Sequence, residues 1–309
     1  MLDSAAAALR PTSGSVRRTL FFLAMPVLGE QLLNSFVGIF DTYLAGRISA
    51  EATSAIGLAA YVSWLAQMMV MLVGTGTTAL VARYTGTGER TMANRFANQS
   101  MTLSAALGVV SFAGLYVLAP AFAAYSNMTD EASRMAIQYL RIDAVGHMFM
   151  SVTLVGCAAL RGIGNMRTPM LIFVVINAVN VLAASALVFG LGPLPRLGVT
   201  GIVTGTIIAK TVGATLLLSV LFRGHAGLKL RLAEMSFRWS QTRRILRIGL
   251  PAAADAAVMW LGQFVFIAII SNLADPPLGT AYFAAHVIAV RVEAFTYLPA
   301  VAWARLQRR

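Results

Sequence analysis

An all-α polytopic membrane protein is the fold class this sequence predicts, and three observations predict it. Of its 309 residues, 58% are hydrophobic and only 12% are charged, with a mean hydropathy of +0.74. A soluble domain has no interior large enough to hide that much apolar surface. Apolar runs long enough to cross about 30 Å of hydrocarbon recur along the chain, separated by short polar breaks. The basic residues behind the formal charge of +12 fall in those breaks and form no single polar face. Cytoplasmic loops carry basic residues in that way, so the expected partner is the lipid bilayer and nucleic acid is not expected as one.

Eight spans follow in order. A tail over residues 1–19 holds Arg10, Arg17 and Arg18 and leads into a first span at Leu20–Phe40. The next three lie at Ala55–Val81, Phe96–Ala119 and Ala136–Leu160; Met170–Gly190 and Gly201–Phe222 complete a group of six over residues 20–222. A basic segment at 223–247 carries Arg223, Lys229, Arg231, Arg238, Arg243, Arg244 and Arg247. Two further spans, Ala252–Leu273 and Tyr282–Trp303, occupy the last region, 248–309. The even-numbered gaps are basic (Arg83, Arg90 and Arg95; Arg161 and Arg167; the long segment), whereas the odd ones hold chiefly Arg47, Arg134 and Arg196. That asymmetry predicts a cytoplasmic N-terminus in a multi-pass protein of the cell inner membrane.

An internal repeat is legible at an offset of 225 residues. Pro26 in LAMPVL lines up with Pro251 in IGLPAA, and Ala59-Ala60-Tyr61-Val62 with Ala284-Ala285-His286-Val287. Span seven then restarts span one, and six intervening spans give parallel halves related by an axis along the membrane normal. A second half as long as the first would run past residue 309, yet Arg305, Arg308 and Arg309 stand where the first copy continues as MVMLVGTGTTALVA. Each would cost ~2.5–3.5 kcal/mol at mid-membrane, so a C-terminally truncated chain is expected. The alternative is a short helix whose arginines snorkel to the cytoplasmic face.

The candidate chemistry centres on Asp41, which ends the apolar run of the first span in FVGIFDTYLAG. A carboxylate there is either hydrated at the far end of its helix or sunk at a coupling site. In the second case burial penalises its charge, so it is expected to alternate between a neutral protonated form and an ionised form paired with a cation. Pro26 lacks an N–H and gives the same helix a place to bend. Cys157 is the only cysteine, which excludes an internal disulfide and a thiolate zinc cluster and reads as core packing. A cleavable leader is not expected before Asp41, and no hydrolytic triad, phosphate loop or metal-binding run is read in the sequence, so neither an enzyme nor an ATP-driven pump is expected.

Taken together, these segments resemble the multidrug and toxic compound extrusion (MATE) family of cation-coupled antiporters. PVLGEQLLNSFVGIFDTYLAG is similar to its opening helix, GTTALVARYTGTGER to the loop after its second, and ALRGIGNMRTPM to the turn between its fourth and fifth. INAVNVL and Phe189-Gly190 resemble its fifth helix, GVTGIVTGTIIA its sixth, and RIGLPAA and AAHVIAV the starts of its seventh and eighth. The resemblance covers nearly all of Leu20–Pro299 and implies a six-helix N-lobe plus the first two helices of a C-lobe. It implies secondary active antiport that exports organic cations and amphipathic drugs in exchange for H+ or Na+ as coupling ion, without a cofactor, by a monomeric protein. This chain would be a partial form, and a competing reading makes it an inactive fragment that lacks the second wall of an alternating-access cavity. The alternative is a lipid-linked saccharide flippase of related architecture, which would need more cavity-facing cations than Lys210 alone.

The resemblance assigns cation coupling to Asp41 and sets Asn180 beside it, where helix–helix hydrogen bonding is the competing reading. Some members carry a further acid in an N-x-x-x-D pattern; this chain has Ala184 there, which favours protons over sodium. Glu30, Asn177, Thr204, Thr206 and Asp255 are further cavity-lining candidates. Each has a plain alternative: hydration for Glu30 and Asp255, structural bonding for Asn177, and bonds back to their own helix for the threonines. Arg141 and Asp143 are expected to pair, and Lys210 to snorkel. Met259 stands where a branch of the family carries a glutamate. Met68, Met69, Phe149 and Met150 face lipid or packing, with some available to form an adaptable drug surface.

Overall fold

A computed structural model describes the backbone of residues 13–193, 195–224 and 227–307. It describes the side chains of residues 25–193, 195–224, 227–258 and 260–293. The side chains of Arg10, Arg17, Arg18, Met259, Arg305, Arg308 and Arg309 therefore lie outside the described residues. Among those residues the chain forms eight long helices: α1 (Ser13–Gly46), α2 (Ala50–Gly86), α3 (Arg90–Tyr125), α4 (Asp130–Gly162), α5 (Arg167–Phe189), α6 (Val199–Arg223), α7 (Trp239–Ser271) and α8 (Leu278–Gln307). A 3-10 turn at Leu232–Glu234 lies in the connection before α7. Helices α2 to α7 are each long and apolar enough to cross a membrane by length and composition.

Local chemistry sets the ends of these helices. Ser49 accepts from the Ala52 N–H at 3.0 Å and opens α2, Thr129 accepts from the Ala132 N–H and opens α4, and Asn165 Oδ1 accepts from the Thr168 N–H at the start of α5. Each satisfies a donor that the first helical turn leaves without a partner. Gly190 (φ 69°) and Gly224 (φ 72°) close α5 and α6 in the left-handed region, where a side chain would be strained.

Two expected boundaries shift. Residues 13–19, read as tail, already belong to α1, and α7 starts at Trp239, so the basic connection is shorter than 223–247. Arg243, Arg244 and Arg247 thus stand on a helix that begins before its apolar run. Side chains of α3 hold the connection in place. Asn94 Oδ1 accepts from the Lys229 N–H, Asn98 Oδ1 from the Arg231 N–H, and Gln99 Oε1 from the Arg238 N–H at 3.1 Å. Gln99 also donates to Thr242 Oγ1, and Thr102 to the Met235 carbonyl.

Packing makes α4 the hub, in extensive contact with α2, α3 and α6, while α1 lies against α5, α8 and α2. Small residues permit the close approach that membrane helices need. On α6 Gly201 and Gly205 face the backbone of Leu187 and Ala184 on α5, and on α4 Gly156 faces Leu217 of α6. The outer surface is apolar: Val117, Leu182 and Val258 are each 70% exposed, which suits hydrocarbon as solvent.

The contacts carry the symmetry of the repeat. If α7 and α8 repeat α1 and α2, an α1–α8 seam must be matched by an α2–α7 seam, and both occur alongside a direct α2–α8 contact. The aligned residues Tyr61 and His286 themselves meet, Tyr61 OH lying 3.2 Å from His286 Nε2. Residues near a two-fold axis touch their own equivalents in this way.

Candidate functional site

A cavity of about 650 Å³ opens between α1, α2, α4, α5 and α6, with Trp260 of α7 and Arg291 of α8 closing one side. From α1 it receives Gln31, Asn34, Ser35, Gly38 and Asp41, each three or four residues from another of the set and hence on one helical face. Asp41 is half-buried, and its Oδ1 is out of contact with solvent and without a hydrogen-bond partner. The hydrated helix end considered for it is therefore not where this oxygen lies.

Helix α5 supplies Asn177 and Asn180, and α6 supplies Thr206 and Lys210. Asn180 donates to Thr206 Oγ1 at 3.0 Å, and its own Oδ1 is buried with no partner. Asn177 donates to Asn34 Oδ1 at 3.1 Å, tying α5 to α1. Two buried oxygens without donors, Asp41 Oδ1 and Asn180 Oδ1, thus border one cavity. An arrangement of that kind attracts a proton or a small cation, since an acceptor left unsatisfied in a low-dielectric setting is costly.

The second acid of the cavity is wired differently. Asp143 Oδ1 accepts from Lys210 Nζ at 2.5 Å, and Oδ2 accepts from Ser63 Oγ at 2.9 Å. His147 Nε2 stands 3.3 Å from the same Oδ2, outside hydrogen-bond alignment. Asp143, carried on α4, is thus held by hydrogen bonds from α2 and α6, with His147 of its own helix close by.

Several expected residues lie elsewhere. Glu30 shares the Asp41 face of α1 about three turns nearer the N-terminus and makes a two-pronged pair with Arg161, at 2.6 and 2.7 Å, outside the cavity lining. Thr204 bonds back to the Thr200 carbonyl; two residues from Thr206, it sits about 200° away around α6 and does not line the cavity. Asp255 is exposed and absent from the lining, because five residues before Trp260 it points about 140° away from the cavity side of α7.

Arg141 and Asp143 do not pair, since i and i+2 diverge on a helix; Arg141 lies over the Tyr116 ring at 5.1 Å instead. Lys210 does not snorkel but enters the cavity. Met150 lines this cavity, whereas Met68 and Met69 line an apolar groove between α2, α3 and α7.

Ala184 has a packing reason. It is fully buried with its backbone against Gly205, so the α5–α6 seam has no room for the longer acid of the N-x-x-x-D pattern. Sequence reading passed over Arg291, although an arginine inside an apolar span is a signal in itself. Its guanidinium lies 5.1 Å from the Trp64 ring and fills the notch that Gly38 leaves on α1, one turn before Asp41. Among the described residues no three His, Cys, Asp or Glu side chains form a group able to hold a metal.

Comparison with known proteins agrees with this geometry. The MatE family profile matches residues 26–185. The chain is 31% identical over 285 residues to the probable multidrug resistance protein NorM of Thermotoga maritima, covering 92% of this chain and 60% of that one. It is 24% identical to the FAD transporter of Shewanella oneidensis, over 84% of this chain and 58% of that protein. Among solved structures, the MATE multidrug transporter DinF-BH superposes with a TM-score of 0.85 at 20% identity, covering 95% of this chain and 64% of that one. At such identity the likeness shows the fold alone. The chain thus spans about 60% of the length of the curated relatives it matches. With a six-helix lobe and two helices of its symmetric counterpart, and with the profile matching over half its residues, this multi-pass membrane chain belongs to the MatE family.

Proposed function

We propose that this chain carries the cation-coupling lobe of a secondary active antiporter that exports organic cations or amphipathic drugs in exchange for protons. The observation that carries the reading is the buried Asp41 Oδ1, without a hydrogen-bond partner at the edge of a polar cavity, with a second such oxygen on Asn180 in the same lining. A protonated Asp41 is neutral and has no hold on a cationic substrate; loss of the proton restores the counter-charge. One site then alternates between two cations, which is the requirement of antiport.

Protons fit better than sodium as the coupling ion because Ala184 supplies no second carboxylate. Asn180 and Thr206 are proposed to orient the carboxyl, and Pro26 to let α1 bend as the occupant changes. Arginines in the even-numbered gaps support an N-terminus on the cytoplasmic side. Because the chain spans about 60% of its relatives, the full export cycle is proposed for the full-length form. The saccharide flippase reading gains little: the cavity cations Lys210 and Arg291 are matched by Asp41 and Asp143, and relatives such as NorM bear drug-resistance names.

The test is accumulation of ethidium in cells expressing the full-length form with and without Asp41→Asn. Loss of export in the variant at equal membrane abundance supports the proposal, and unchanged export rejects the role of Asp41.

A further inference from the structure

The polar cavity holds two acids and two bases among its described lining residues, Asp41 and Asp143 with Lys210 and Arg291. Arg291 and Lys210 attract the Asp41 carboxylate, and Asp143 repels it. A cation brought from outside must therefore compete for Asp41 with cations the protein already owns. What prevents the protein from answering its own carboxylate is a matter of how each base is held.

Arg291 is constrained by its seat: its planar guanidinium rests over Trp64 and occupies the notch at Gly38. Lys210 is different in kind, a point charge on a flexible four-carbon stem. It stands one helical turn after Thr206, the residue that accepts from Asn180, and is close enough to attract the Asp41 carboxylate. Its stem passes over Gly146, where a methyl group would collide with Lys210 Cδ. Its ammonium ends on Asp143, a carboxylate that is 4% exposed at the side chain and already held by Ser63, with His147 close behind.

We propose that Asp143 sets the charge selectivity of the cavity: by holding the Lys210 ammonium away from Asp41, it leaves Asp41 to cations from outside the protein. The inference rests on the reading of Asp41 as the substrate counter-charge. Asp143 is a positioning residue acting through Lys210, and it spends its own charge within the protein. A buried ammonium that loses its partner does not stay unpaired. With Asp143 neutralised, the nearest remaining carboxylate of the cavity is Asp41, and a Lys210–Asp41 pair would exclude cations and leave the lining with one net positive charge. Such a lining favours anions.

Two permanent ions separate the cases, tetraphenylphosphonium as cation and anilinonaphthalene sulfonate as anion. Binding of each is measured by equilibrium dialysis to the purified chain in nanodiscs, for the parent and for Asp143→Asn, Asp143→Asn with Lys210→Gln, Lys210→Gln alone, and Asp41→Asn. Circular dichroism and a single gel-filtration peak report folding. Asp143→Asn is expected to weaken the cation by at least about tenfold and to strengthen the anion. Adding Lys210→Gln to it should bring cation binding back to within about threefold of the parent. Lys210→Gln alone should tighten the cation, because a competitor is gone and Asp143 becomes a second counter-charge.

Rescue of this kind is not expected if Asp143 merely braces the helices, since the double variant would then be as impaired as the single. Parental cation binding in folded Asp143→Asn, or a double variant no better than the single, overturns the proposal. If Asp143→Asn does not fold, a Lys210→Gln variant that binds the cation no more tightly than the parent overturns it instead. Asp41→Asn separates the two readings: loss of cation binding there with none in Asp143→Asn leaves the role of Asp41 standing and removes this one, whereas unchanged binding in Asp41→Asn removes both.

Discussion

Helices α1 and α4 each bring an acid to the same cavity, and they differ in nearly everything else. The α4 helix is the hub of the bundle, packed along its length on α2, α3 and α6. Its glycines sit under neighbouring side chains, with Gly156 against Leu217 and Gly162 against Val81. Its acid, Asp143, is held by groups on two other helices, Ser63 of α2 and Lys210 of α6. The α1 helix lies at the side of the bundle and includes Pro26, which leaves one carbonyl of the preceding turn without its usual donor. At Gly29, its glycine nearest that proline, an added methyl group would meet no atom of another helix within 4 Å, and its acid keeps a buried oxygen without a partner. On the proposed reading, an intramembrane carboxylate is fixed or exchangeable according to the helix that carries it. A helix locked on several sides can satisfy its acid internally, whereas a helix with space around it can move when its acid changes charge.

The comparison can be broken in several ways. The largest effect is expected from Asp41→Asn, which should reduce binding of a permanent organic cation by about 100-fold or more, measured by equilibrium dialysis, since it removes the counter-charge proposed for that cation. On the rigid side, Gly156→Leu forces new atoms into the α4–α6 seam and should cost about 1–3 kcal/mol, read as a lower unfolding midpoint by circular dichroism. Pro26→Ala restores the missing N–H and stiffens α1; in the full-length form the proposed export should slow several-fold while substrate affinity holds, and an equal rate would remove the bend from the proposed mechanism. The smallest effect belongs to Gly29→Ala, where open space predicts a stability change within about 0.5 kcal/mol. A large change there would show that α1 is packed as tightly as α4.

Much of this was legible in the sequence, for reasons that particular residues make clear. Each helix announced itself as an apolar run bounded by Gly, Asn or basic residues, and the repeat was visible in Pro26 and Pro251. The contact between Tyr61 and His286 gives that repeat a structural form. Asp41 was legible because one charge in an apolar run stands out. The start of α7 at Trp239 was not, because its first turns are anchored by Gln99 from α3, a contact that hydropathy cannot record. Pairing was also hidden. Proximity along the chain suggested Arg141 for Asp143, while the true partners, Lys210 and Ser63, come from helices far away in sequence. Helical phase could have told Thr206 and Lys210 from Thr204, since only the first two share a face.

The central claim is that Asp41 gives up a small cation when it takes a large one. It is tested most directly by adding tetraphenylphosphonium to the purified protein in weakly buffered solution at slightly acidic pH and measuring proton release. The account predicts release of about one proton per bound cation, weaker cation binding as the pH falls because the protonated carboxyl is neutral, and no release from Asp41→Asn. Cation binding without proton release, or equal release from the variant, would contradict it.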